Sequence, residues 1–194
     1  MAIDTGLAIG CSDLQATGGI KHILLRSWAT GDTILYGTST HTITSIKDTG
    51  GTDATWGVYE FKNETPALTV NATKENGSTA FECGLSFNVP KMDVSKFNAI
   101  QDMLNACLMI IAVDTNDKAF VIGVSEKYSN TKDETRNQTF GNFASAEGGT
   151  GAAYSDENGM TISLMARQFE MPREYVASGT GITITGTGIT ATTD

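Results

Sequence analysis

The stretch Met92 to Leu108 (MDVSKFNAIQDMLNACL) is the one segment of this chain whose apolar residues recur with a helical period. Val94, Phe97, Ile100, Leu104, Cys107 and Leu108 fall at spacings of three and four, so they share one face, and that face is expected to be core. Pro90 precedes the segment. Asp93 is the expected N-cap, because its carboxylate can accept from the free N–H groups of the first turn and sits at the positive end of the helix dipole. Directly behind comes an apolar strand, Met109 to Val113, then the turn Asp114-Thr115-Asn116-Asp117, then a return strand, Ala119 to Val124. Nearly everything else reads as short strand and turn. The expectation is a mostly-β fold, a sandwich or barrel of antiparallel strands flanked by one α-helix at about residues 92–108.

A chain of 194 residues built this way is expected to form one domain over residues 1–194. Further strands are expected at Ile20 to Ser27, Ile34 to Tyr36, Ala67 to Thr73, Ala80 to Val89, Met160 to Ala166 and Tyr175-Val176. His41 to Ile46 alternates threonine with isoleucine as an edge strand would. Asn76-Gly77 takes the positive φ angles of a tight hairpin and marks the clearest one in the chain. Trp56 to Phe61 places Trp56 and Val58 on one face and Tyr59 and Phe61 on the other. Such a strand is buried on both sides or faces a partner.

Three segments break the pattern. Residues 47–54 (KDTGGTDA) form a polar loop tip. Residues 125–158 run for over thirty positions with Tyr128, Phe140, Phe143 and Tyr154 as possible anchors, and read as an extended loop. Residues 179–194 repeat Gly-Thr-Gly-Ile-Thr and read either as a frayed tail or as an arm that pairs with a neighbour's sheet edge. Neither long segment is apolar enough to offset its own ordering entropy, so neighbouring subunits are expected to order them. Phe140, Phe143, Ile182, Ile184 and Ile189 are the expected contacts there, and Trp56, Tyr59 and Phe61 complete the candidates for a subunit interface.

The net charge is −9 with only 13 Lys and Arg, a balance that repels free nucleic acid, which needs its phosphates neutralised. Three cysteines, Cys11, Cys83 and Cys107, have no Cys-x-x-Cys spacing, and Cys83 and Cys107 lie on apolar faces, so neither a disulfide framework nor a zinc site is expected. The start, MAIDTGLAIG, has no secretory pattern, and no run approaches a membrane span. His22 and His41 are the only histidines, and neither has a nucleophile in an elbow-like context. Asp114-Thr115-Asn116-Asp117 and Asp156-Glu157-Asn158-Gly159 resemble calcium loops only superficially, and both read as turns held by Asp and Asn side chains. No catalytic, cofactor or metal residue is assigned, and no enzyme activity is expected.

The order of elements resembles that of a tailed-bacteriophage virion protein, most of all the tail tube family. Cys11 to Ile20 (CSDLQATGGI) running into KHILLRS, the helix NAIQDMLNA before LMIIAVDTNDKAFVIG, and ENGMTISLMARQFEMP carry the resemblance. It implies a subunit of hexameric rings stacked into a hollow tube, an architecture shared with the tube of type VI secretion. It also implies a virion location after synthesis in the host cytoplasm, contacts with sheath or terminator and baseplate proteins, and a negatively charged lumen through which DNA passes without adhering. Loop 47–54 would mediate stacking between rings. Two other roles stay open. One is another tail, neck or baseplate protein of the same fold. The other is a glycan-binding β-sandwich, for which Trp28 and Trp56 are the only aromatic candidates.

Overall fold

The computed structural model describes residues 17–38, 41–59, 61–62, 64–75, 78–126, 140–153, 156–176, 183–185 and 188–190. The strands are β1 (Ile20–Ser27), β2 (Thr33–Tyr36), β3 (Thr42–Lys47), β4 (Gly57–Tyr59), β5 (Ala67–Glu75) and β6 (Ser78–Pro90). The helix α1 (Val94–Leu104) follows. After it come β7 (Leu108–Asp114), β8 (Ala119–Ile122), β9 (Gly141–Gly149), β10 (Gly159–Gln168), β11 (Arg173–Tyr175), β12 (Thr183–Thr185) and β13 (Gly188–Thr190). Among the described residues the fold is mostly β with one helix. One pair departs from the antiparallel expectation, since β11 runs parallel to β3.

β7 is the centre. Its sequence, LMIIAVD, is apolar at six consecutive positions, and all six are buried. Alternate side chains of a strand point to opposite faces, so Leu108, Ile110 and Ala112 enter one core while Met109, Ile111 and Val113 enter another. β1 pairs along the whole of β7 and splits the same way, with Leu24 on one side and Ile23 and Leu25 on the other. The first core lies under β2, β3 and β11, which continue the sheet from β8 and curl over it. In the second core, β1, β7 and β8 face the inner side of β6 and β10 through Cys83, Leu85, Phe87, Ile162, Leu164 and Ala166. Burial and the nearby Glu82 push the Cys83 thiol up to about 11, so it is an inert core group.

The expected edge strand at His41 to Ile46 is an inner one: β3 lies between β2 and β11. Its threonine alternation reflects a half-covered face and not an open edge. The 125–158 segment is also corrected, since β9 lies within it and pairs with β10 from Gly149↔Gly159 to Gly141↔Ala166. GNFASAEGG is poor in β-branched residues, so no local signal marks it; β10 imposes the strand by pairing. Cys11, Asn76-Gly77, Tyr128, Tyr154 and Ile182 lie outside the described residues. The hairpin itself is present, because Glu75 pairs with Ser78 across a two-residue loop. β12 and β13 pair with each other, Ile184 opposite Ile189.

The junction between the two sheets rests on two glycines. β7 pairs with β8 at Ile110 to Val113, then with β9 at Leu108↔Gly141. Gly123, at φ 88°, stands at this hand-over, where a Cβ would come 2.7 Å from both the Gly141 nitrogen and the Leu108 carbonyl oxygen. A Cβ on Gly141 would meet Ile110 Cδ1 at 2.7 Å. Gly123 needs to be glycine because backbone approaches too closely for a Cβ, while at Gly141 the crowding atom is the tip of the Ile110 side chain, with the Leu108 carbonyl oxygen next at 3.1 Å.

The helix carries the largest correction. Asp93 caps it as expected, accepting from the Lys96 N–H at 3.0 Å. Met103, however, is its only buried residue, and Val94, Phe97 and Leu104 are 72%, 44% and 47% exposed. Lys96, Ala99, Ile100 and Met103 face the sheet, so the helix is rotated from the expected orientation by about a residue's turn. Leu108 is buried, but in β7. The expectation for stability follows the burial. Ile111→Ala should cost about 2–5 kcal/mol through lost burial and a residual cavity, whereas Leu104→Ala in the isolated chain should stay within about 1 kcal/mol. Urea melts compare the two, and a Leu104→Ala cost matching that of Ile111→Ala would put this helix orientation in error.

Candidate assembly surface

Strands β9, β10, β6 and β5 form a four-stranded antiparallel sheet in that order. Its inner side chains fill the second core. Its outer face follows from the same registers: Thr69, Asn71 and Thr73 on β5; Glu82, Ser86 and Asn88 on β6; Thr161, Ser163, Met165 and Arg167 on β10; Asn142, Ser145 and Glu147 on β9. Hydroxyl and amide groups dominate this face. The charges named there are two carboxylates and one guanidinium.

Both edges of that sheet are open among the described residues. β5 pairs only with β6, and β9 beyond Gly141 pairs only with β10. Each of these strands is nine residues long. The other edge strands, β2 and β4, have four and three residues, the short form that natural sheets use to blunt an edge. A long open edge presents a row of unpaired N–H and C=O groups, a template for another strand. The inner face of β5 is also uncovered towards the hairpin tip, where Val70 is 37% exposed and Ala72 is exposed.

α1 lies on the inner side of this sheet and against β9. Asp102 is on its other shoulder, near β4, where burial and then the Asp102 carboxylate raise the Tyr59 hydroxyl. Beneath the helix is an open cavity of about 290 Å3 lined by Val58, Tyr59, Val89, Ile100, Met103 and Ile162. A second, more polar cleft of about 590 Å3 lies at the helix C-terminus beside Trp28, Asp102, Asn105 and Phe140.

The candidate interface residues separate in this structure. Trp56 is 3% exposed in the first core and Phe140 is 2% exposed, its ring 5.5 Å from that of Trp28. Both are corrected, because a side chain enclosed by its own subunit offers no surface to another. Tyr59, Phe61 and Phe143 pack partly buried against the second core. The two apolar faces of the Trp56 to Phe61 segment thus serve the chain's two cores. Ile184 and Ile189 stand opposite each other in the β12–β13 pair. A glycan platform needs exposed aromatics, and burial removes Trp56 and leaves Trp28 half-covered. The two open strand edges and the exposed helix shoulder were not legible locally. The nearest signal was that Phe97 and Leu104 share a row with Ile100, without any indication of which part of that row is covered.

The turns are braced by their own carboxylates, and the 114–117 turn is tied in addition to Thr17 and Lys21. Asp114 Oδ1 accepts from the N–H groups of Asn116 and Lys118, Asp156 Oδ2 from those of Ala152 and Ala153, and Asp48 Oδ1 from those of Gly50 and Thr52. These carboxylates hold backbone, as expected of Asx-type turns. Among the described residues no group of three or more His, Cys, Asp or Glu is arranged to hold a metal, and no helix is long and apolar enough to cross a membrane. His22 lies on β1, and His41 Nε2 is 2.8 Å from the Met171 carbonyl oxygen.

A partly buried charged cluster ties the ends of β8, β10 and β11 together. Arg173 donates to Glu126 at 2.5 Å and Glu170 at 3.0 Å, and its guanidinium stacks 5.0 Å from the Tyr36 ring. Gln168 accepts from the Gly123 N–H and donates to the Glu170 carbonyl. Burial raises the Glu170 carboxyl, but hydrogen bonds from Arg173 and the Glu126 N–H outweigh it and hold the group below the usual glutamate range. A depressed carboxyl contributes stability above its unfolded pKa and loses it as pH falls through the folded one. Stability should therefore drop from about pH 5 towards pH 3, and Glu170→Gln should flatten part of that drop. Urea midpoints across the range measure it, and an unchanged slope would remove Glu170 as a contributor.

No family model, no curated protein and no solved structure matches this chain.

Proposed function

We propose that this chain is a structural subunit of a bacteriophage tail tube, with six copies forming a ring and rings stacking into a conduit for DNA. The observation that carries the reading is the four-stranded sheet with two long open edges. If β5 of one copy pairs with β9 of the next, the edges are consumed and a ring of sheets closes into a continuous barrel. Such an interface is heterologous, and a heterologous contact that closes generates a ring. The resemblance in the order of elements supports the same reading.

The outer face of the sheet suits the lumen of that barrel. Its hydroxyls and amides are joined by Glu82 and Glu147 against Arg167, so it lacks the row of cations that would hold phosphates. The sheath or terminator and the baseplate would meet the outside and ends of the tube. The Asp48-braced loop at 47–54 would contact the next ring, where its internal hydrogen bonds keep it in one shape.

Electron microscopy and mass measurement of the purified chain test the proposal. Rings or tubes are expected, and a strict monomer at high concentration would sink it. The assembled form should release double-stranded DNA even at low salt, and tight salt-sensitive retention would contradict the lumen assignment.

A further inference from the structure

We infer that the exposed shoulder of α1, formed by Phe97 and Leu104, receives the inner face of strand β5 from a second copy of this chain, an inference that rests on the tail-tube reading. A helix apolar beyond the arc it buries is ordinarily covered by something else. In α1 the row Phe97, Ile100 and Leu104 is continuous at helical spacing, but only Ile100 is turned to the chain's own sheet. The side of the helix away from Asp102 and β4 is the side of β9, whose edge is open.

A strand added to that edge would lie about 4.8 Å beyond β9, with alternate side chains on the α1 side. β5 is the strand with matching needs. Its inner-facing residues Val70 and Ala72 are apolar and exposed, and its own outer edge is unpaired among the described residues. Placing β5 of one copy along β9 of the next sets Val70 and Ala72 beneath the Phe97–Leu104 shoulder. One contact then covers both apolar surfaces and both open edges.

Charge favours this occupant. The chain carries −9, so a contact between two copies avoids added like-charge repulsion where both surfaces are uncharged. Phe97, Gln101 and Leu104 on one side and Val70 and Ala72 on the other contain no charge. A helix-on-helix pairing of two copies would also bury Phe97, but it is two-fold and would leave β5 and β9 open.

The test compares wild type with Phe97→Ser/Leu104→Ser and, separately, Val70→Asp on the opposite surface. All the altered side chains are partly solvent-exposed in the subunit. Far-UV circular dichroism and melting of the monomer should therefore stay as in wild type. The concentration needed to form rings should rise about tenfold or more in each variant. Met165→Ser, on the outer sheet face, should assemble as wild type does. Wild-type rings that form at the same concentration in both variants would overturn the inference while leaving the tube reading intact. Discrete wild-type dimers lost in Phe97→Ser/Leu104→Ser but kept in Val70→Asp would replace it with the two-fold helix contact. A wild type that never assembles would overturn the tube reading and this inference together.

Discussion

The fold depends on β7 being buried on both faces. A strand covered on one side only can alternate apolar and polar residues, whereas one enclosed on both must be apolar throughout. LMIIAV meets that demand, and β1 beside it supplies Ile23, Leu24 and Leu25 to the two sides in turn. Each fully buried side chain of this size stabilises by about 1.5–3 kcal/mol. The β1–β7 pair is consequently the wall that the two cores share. Everything else is arranged by which core it closes: β2, β3 and β11 close one, while β6, β10 and α1 close the other.

That division also sets where long strand edges are left open. The edges around the first core are short, although Leu35, Met171 and Val176 beside it also remain exposed. The second core is wide, because β5, β6, β10 and β9 extend well past the region that β1, β7 and α1 can cover. Its excess remains exposed as Val70, Ala72, Phe97 and Leu104, together with two nine-residue edges. Exposed apolar groups scattered singly need no explanation. Here they flank unpaired backbone at both margins of one sheet, and that conjunction is what the assembly proposal rests on.

The buried polar groups are concentrated where strands end. Asp32 is enclosed and takes two hydrogen bonds from Arg26 and one from the Ala29 N–H. Arg173, Glu126, Glu170 and Gln168 serve the same purpose at the ends of β8, β10 and β11. A buried charge is tolerated only when paired and hydrogen-bonded. Around Asp32 the partners are a few residues away along a turn, whereas Arg173 and Gln168 also reach Glu126 and Gly123, more than forty residues away, so that network ties the ends of different strands together.

Sequence by itself determined the elements whose state is set locally. The doubly apolar β7, the Asp93-capped helix, the two-residue hairpin between β5 and β6 and the Asp-braced turns all carry their instructions within a few residues. Tertiary structure alone decided three things. It decided that GNFASAEGG is a strand, because a segment without bulk or β-branching becomes one only by pairing along β10. It decided the hand-over of β7 from β8 to β9, because Gly123 is required by the backbone it meets and not by its neighbours in sequence. It decided which part of the apolar arc of α1 is covered, because periodicity records where apolar side chains point relative to one another and contains nothing about what lies opposite them.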